Sequence, residues 1–154
     1  MLLLAALAGV AWYKTQLNTK PEPTYQATLD EDCDLNQLAC TSLINLTSDK
    51  STSPIRRSVD FSIIPRPSPF VSDLNLSVKS DLDDIQQIKI EFVGVDMEMG
   101  PNHVLLTQQS QGVYKGKGML PVCIRNRMTW EALVYIKTSD GLYLIPHQFV
   151  TNKT

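Results

Sequence analysis

The chain has 154 residues, of which 43% are hydrophobic and 19% are charged, and its formal net charge is -2. This length gives room for one domain with a short appendage, and the hydrophobic content excludes a generically disordered chain. Nucleic-acid binding favours a strongly basic face, so we expect no nucleic-acid partner.

The first thirteen residues, MLLLAALAGVAWY, form an uncharged apolar run. A complete transmembrane helix needs roughly 20 apolar residues, and a cleavable signal peptide needs a basic region before its apolar core. We therefore expect residues 1–13 to be a hydrophobic helix that belongs to a longer membrane anchor, with the natural chain starting upstream of Met1. The alternative is a helix buried in the core. Residues 14–32 are polar and contain two prolines, which predicts a linker.

Residues 33–154 are predicted to form one all-β domain. Val59, Phe61 and Ile63 alternate with polar residues, and the same period of two recurs along the chain. An Asp-Gly pair at 140–141 predicts a tight hairpin turn. Seven short strands separated by turn signals indicate an immunoglobulin-like antiparallel β-sandwich, without the cysteine and tryptophan spacing of antibody domains. The predicted strands are 58–64, 72–79, 86–97, 103–109, 113–122, 129–138 and 142–151, with a possible earlier strand near 40–46.

The three cysteines, Cys33, Cys40 and Cys123, are the candidates for a disulfide. Cysteines outside the cytoplasm tend to be oxidised. Either Cys33 pairs with Cys40, or Cys123 pairs with one of these two. The odd number leaves one thiol over, for which we favour Cys123.

Several sulfur-bearing side chains are predicted to meet at one end of the sandwich. In an immunoglobulin-like strand order, the third-to-fourth connection and the fifth-to-sixth connection lie at the same end. Thioether, thiolate and imidazole groups suit cuprous copper, so a metal site is one hypothesis for this end. The alternative is that the methionines fill the core. The candidate ligands are Met97, Met99 and Cys123, with His103 and Met128 in reserve.

Arg125 and Arg127 lie in the predicted connection beside Cys123. They form either a solvated loop or a docking surface for an acidic partner or lipid headgroups. The sequence contains no H-E-x-x-H, Walker, G-x-S-x-G or C-x-x-C motif, so we expect no enzymatic activity. His147, in the last predicted strand, is expected to be a hydrogen-bonded structural histidine.

Three short segments resemble those of a known family. The segment 95–100 (VDMEMG) is followed by 112–116 (GVYKG) and 128–132 (MTWEA). Together they resemble the YtkA-like and FixH-like extracytoplasmic β-sandwich domains of bacteria. The segment from Leu120 to Trp130 also resembles a group of uncharacterised proteobacterial membrane-anchored proteins with an L-P-x-C…M-x-W pattern.

The resemblance implies a periplasmic domain on a single N-terminal anchor in the bacterial inner membrane. FixH-like proteins are associated with the assembly of haem-copper oxidases, and related domains with copper handling. Met97 and Met99 fall on the family's methionine-rich element, whereas a ligand role for the cysteines is inferred from this sequence alone. We therefore expect an accessory protein that binds cuprous copper or assists a respiratory oxidase, with a copper chaperone or oxidase subunit as partner. The alternative is an interaction or structural domain that binds no metal and is stabilised by a disulfide.

Overall fold

The computed structural model describes residues 22–46, 55–69, 73–122 and 124–153, and these residues form nine β-strands without a helix. The predicted all-β fold is confirmed. The predicted hydrophobic helix at 1–13 lies outside the described residues, and no described helix has the length and apolarity needed to span a bilayer. The strands are β1 (Tyr25–Gln26), β2 (Cys40–Leu46), β3 (Ile55–Ile64), β4 (Asp73–Ser80), β5 (Gln87–Gly94), β6 (His103–Ser110), β7 (Val113–Met119), β8 (Arg127–Lys137) and β9 (Leu142–Asn152).

Alternating hydrophobicity produces these strands, because successive side chains of a strand point to opposite faces of the sheet. In β8, Met128, Trp130 and Ala132 are buried, and the residues between them are only partly buried. All seven predicted strands and the earlier strand at 40–46 are present, although some bounds differ. Strand β1 lies within the range predicted as a linker, and strand β5 ends at Gly94, three residues before its predicted end.

The nine strands form one curled sheet in the order β1-β9-β8-β5-β6-β7-β4-β3-β2. The first part of β6, His103 to Leu106, pairs with β5, and its last part, from Thr107, pairs with β7, with a register shift between Gln108 and Ser110. A strand that changes partners in this way turns the corner between two packed sheets. The curled sheet therefore folds back on itself into a sandwich-like layer pair.

The space between the two layers is filled by large apolar side chains. Phe61 and Ile63 come from β3, while Phe92, Trp130 and Phe149 come from the opposite layer. Phe92 and Phe149 meet edge to face with ring centroids 6.2 Å apart. The Trp130 indole N–H donates to the Thr151 hydroxyl at 3.0 Å, so the largest buried side chain also has its polar atom satisfied.

The sandwich has two ends. We call one the tether end, after the linker predicted to precede the domain, and the other the loop end, after the connections that lie there. At the tether end, the described chain enters next to the β8–β9 hairpin, where the Thr24 N–H donates to the Leu142 carbonyl at 2.8 Å. Gly141 in that hairpin has a positive φ of 151°, in agreement with the predicted Asp-Gly turn. At the loop end lie the connections β3–β4, β5–β6 and β7–β8. Strand β9 runs the whole way between the two ends.

Candidate functional site: the loop end

Direct hydrogen bonds join the connections at the loop end. The Val95 N–H donates to the Thr129 carbonyl at 3.0 Å, which fixes the β5–β6 connection against the start of β8. The Asn102 side chain donates to the Met119 carbonyl at 2.7 Å, which ties the same connection to the end of β7. The predicted convergence of these two connections is therefore present in the structure.

A disulfide closes a small loop at the same end. Cys33 is bonded to Cys40, the first residue of β2. Inside this loop, Asn36 donates to the Val150 carbonyl at 2.8 Å and accepts from the Ser68 N–H at 2.8 Å. The loop thus connects strand β9 to the β3–β4 connection. Of the pairings that the sequence left open, the structure has Cys33 with Cys40, so neither of these sulfurs is a free thiolate ligand.

Three methionines surround Gly94 at the end of the core. Gly94 lies opposite Trp130 in the β5–β8 pair. A Cβ atom at this glycine would overlap the Met128 Cε and the Met97 carbonyl oxygen, and it would lie 3.1 Å from the Met99 Cγ. Met128 is fully buried, whereas Met97 and Met99 are partly buried and pack against the core. The thioether side chains of Met99 and Met128 therefore both pack around one glycine.

The other two candidate ligands are placed differently. His103 is exposed at the start of β6 and stands opposite Glu91 of β5. Its neighbour Val104 packs against the core, so the alternation of side chains puts His103 on the outer face, away from the buried Met128. Cys123 lies outside the described residues. Among the described residues, no group of three or more His, Cys, Asp or Glu side chains is arranged to hold a metal ion.

The two predicted docking arginines are exposed beside an acidic side chain. Arg125 and Arg127 are both exposed in or next to the β7–β8 connection. The pKa of the Asp96 carboxyl lies below its ordinary value, first because it accepts hydrogen bonds from Thr129 and then because both guanidinium charges are near. Asp96 therefore stays ionised, and its bond from the Thr129 N–H, 3.0 Å long, holds the β5–β6 connection in place.

Exposed apolar side chains are the feature of this end that sequence reasoning missed. Val122 and Ile124 are 69% and 89% exposed, and Val95 and Met119 are each about half exposed. Met119 is the last residue of β7. A signal was available, because Val122 and Ile124 are large β-branched residues in a connection that has no alternating strand pattern.

The fold and the loop end together describe a small all-β, sandwich-like domain with one disulfide and a mixed apolar and basic tip. Comparisons with known proteins assign no family to this domain. No protein-family model, no curated protein and no solved structure matches the chain.

Proposed function

We propose that the chain is an extracytoplasmic interaction domain, held at a membrane by its N-terminal segment, that docks on a partner protein through its loop end. The observation that carries this proposal is the position of the two ends. The described chain enters at the tether end, whereas the exposed apolar side chains Val122 and Ile124 lie at the opposite end. A domain tethered in this way presents its loop end away from the tether.

The strand pairing supports an immunoglobulin-like sandwich. If β3 to β9 are lettered A to G, one layer has the order A-B-E-D and the other contains C-F-G. These are the two sheets of an immunoglobulin-like domain. In this lettering the loop end carries the A–B, C–D and E–F connections.

The disulfide supports a location outside the cytoplasm. Disulfides persist in oxidising compartments such as the bacterial periplasm and are rare in the cytosol. With the apolar run at residues 1–13, the Cys33–Cys40 bond is consistent with an inner-membrane anchor and a periplasmic domain. A copper chaperone or oxidase subunit remains the class of partner that the family resemblance implies.

The chemistry of the loop end favours a partner with an apolar contact and nearby carboxylates. Exposed apolar patches rimmed by polar groups mark interaction sites, and arginine forms bidentate pairs with carboxylates. A cleft of about 790 Å³ at the loop end is lined by Arg127 and Asp34 together with Pro67, Pro69 and Val150 among others. This cleft would seat side chains of the partner next to the Arg127 guanidinium.

Photocrosslinking in the producing cells tests this proposal. A photoreactive amino acid at Ile124 is expected to give an adduct with one envelope protein, identified by mass spectrometry through an acidic cross-linked peptide. Reversing the charge with Arg125→Glu and Arg127→Glu is expected to lower the adduct yield about tenfold, since paired charges are lost from a desolvated contact. The matched control is the same amino acid at Asp140, which is exposed in the hairpin at the tether end. Equal adducts from both positions would contradict the proposal.

A cuprous site at the loop end is the second candidate function. The observation that favours it is the packing of Met99 and Met128 around Gly94, with Met97 in the same connection. Thioethers are soft ligands that select the cuprous ion. Met128 is fully buried in the core, where a methionine side chain also serves as filler.

A competition titration with cuprous ion separates the two candidates. If the methionines form a site, the full chain takes up one ion. The double variant Met97→Leu, Met99→Leu, which conserves volume, then weakens binding by about tenfold or more. The control is Met119→Leu, which changes a half-exposed methionine outside the cluster. Affinity that survives in the double variant would exclude this site, and the non-metal interaction domain would stand.

A further inference from the structure

The two edge strands of the curled sheet lie on opposite sides of an open gap. Strands β1 and β2 are the first and last in the curled sheet. A cleft of about 410 Å³ lies between residues 24–28 and residues 43–45. A second cleft of about 530 Å³ continues it between residues 27–32 and residues 41–43. No backbone hydrogen bond joins residues 24–32 to β2 within the described part of the chain.

Strand β2 presents a bare hydrogen-bonding edge to this gap. It pairs with β3 over seven residues in an unbroken antiparallel register. In such a pair, every second residue points its N–H and C=O groups away from the neighbouring strand. The described chain offers these groups no partner on the side of the gap. The edge is therefore a template for one more strand.

The edge also lacks the devices that proteins use to block strand addition. Such devices are charged side chains, prolines, bulges and very short edge strands. The sequence of β2, CTSLINL, contains no charge and no proline, and its register has no bulge. At its centre, Leu43 is 58% exposed on the outer face. By contrast, β1 at the other side of the gap is only two residues long.

The opposite wall of the gap is acidic. Asp30, Glu31 and Asp32 are consecutive, exposed and part of the lining of the second cleft. None of these three carboxylates is in an ion pair with another described residue; the Asp30 carboxylate only accepts from the Asp32 N–H at 3.1 Å. A segment lying in the gap would therefore have hydrogen-bonding groups on one side and uncompensated negative charge on the other.

We propose that this gap binds an extended, basic segment of a partner protein, which adds as a strand to β2 and pairs its Lys or Arg side chains with Asp30, Glu31 and Asp32. Strand addition supplies affinity through main-chain hydrogen bonds, and flanking side chains supply specificity. The carboxylates select a basic segment over an acidic one. This proposal does not depend on docking at the loop end, because the gap runs along the side of the sandwich.

A synthetic peptide provides the test on the full chain. The probe has nine residues of alternating valine and threonine, with lysine at both ends and at the centre. We expect it to perturb the backbone NMR signals of Thr41, Leu43 and Asn45 and to bind more weakly as salt is raised. N-methylation of the alternate amides that face β2 is expected to lower affinity about tenfold or more, because two or three hydrogen bonds are lost. Methylation of the other amides is expected to have little effect.

Variants of the protein test the acidic wall. The triple change Asp30→Asn, Glu31→Gln, Asp32→Asn is expected to weaken binding and to remove most of its salt dependence, while Asp73→Asn, at the exposed start of β4, leaves both unchanged. The proposal would be overturned if N-methylation of neither set of alternate peptide amides weakened binding. It would also be overturned if the perturbed NMR signals belonged to residues outside β2. Self-association that is abolished by Leu43→Lys but not by Leu105→Lys would assign the edge to a second copy of the chain and would equally overturn it.

Discussion

The folded domain is expected to lose about 3 kcal/mol of stability between pH 7 and pH 4 through His147 alone. Its side chain is 2% exposed, its ring centroid lies 5.3 Å from that of Phe61, and its Nε2 has no hydrogen-bond partner in the part of the chain that the structure describes. Burial lowers the pKa of His147 from 6.5 to about 4, and the nearby Asp30 charge opposes this only in part. The cost of charging the imidazole inside the core is therefore the physical origin of the expected loss.

Stability depends on pH because the unfolded state binds a proton at His147 more readily than the folded state does. Between pH 6.5 and pH 4 the unfolded chain protonates His147 while the folded chain keeps it neutral, so stability falls as the pH falls through this window. The fall in pKa from 6.5 to about 4 corresponds to about 3 kcal/mol, and the contribution of His147 levels off about one pH unit below 4.

Urea denaturation at a series of pH values measures this effect. The variant His147→Phe retains an aromatic ring without a titrating group. Between pH 7 and pH 4 its free energy of unfolding is expected to fall by about 3 kcal/mol less than that of the wild-type protein. The variant His103→Gln, at an exposed position, is the matched control and should keep the wild-type slope. If His147→Phe showed the same dependence of stability on pH as the wild-type protein, His147 would not be buried as a neutral group.

Removal of the disulfide is the second large effect that we expect. Cys33 and Cys40 are seven positions apart and therefore close a loop of eight residues. The chain-entropy relation gives about 2.5 kcal/mol for a loop of this size, and the buried Leu35 within the loop adds to what is lost if the loop detaches from the core. The Asn36 bonds to Val150 and Ser68 would loosen with it.

The double variant Cys33→Ala, Cys40→Ala checks this prediction by equilibrium unfolding with and without reductant. Wild-type protein should lose stability when reductant is added, whereas the double variant should be less stable at the outset and insensitive to it. Cys123→Ser is the matched single change and should keep the full response to reductant. Wild-type stability that is indifferent to reductant would contradict the Cys33–Cys40 pairing.

The strands could be predicted because alternation is a local signal. In β4, buried Leu74, Leu76 and Val78 alternate with more exposed residues, so two-residue periodicity was sufficient to find the strand. Strand β1 could not be found in this way. It consists of only Tyr25 and Gln26, and its pairing with β9 together with the stacking of Tyr25 on Tyr143 is a tertiary contact.

The candidate site could be predicted only in outline. The strand order placed the two connections at one end, but two-residue alternation does not predict which way the side chains at that end point. His103 faces outward and Met128 inward, so two residues expected at one site lie on opposite faces of the layer. Likewise, His147 was expected to be hydrogen bonded, but its Nε2 is buried with no hydrogen-bond partner among the described residues, and its ring packs against that of Phe61.

The separation of the tether end from the loop end is the claim on which the proposed docking role depends, and one distance measures it. Nitroxide labels at Glu22→Cys and Ile124→Cys, in a Cys123→Ser background with the native disulfide intact, report this distance by pulsed dipolar spectroscopy. The ten residue steps of β9 between the two ends span roughly 33 Å, so we predict a main distance of about 35 Å or more. A main distance below about 20 Å would place the entering chain beside the apolar tip and would contradict the account.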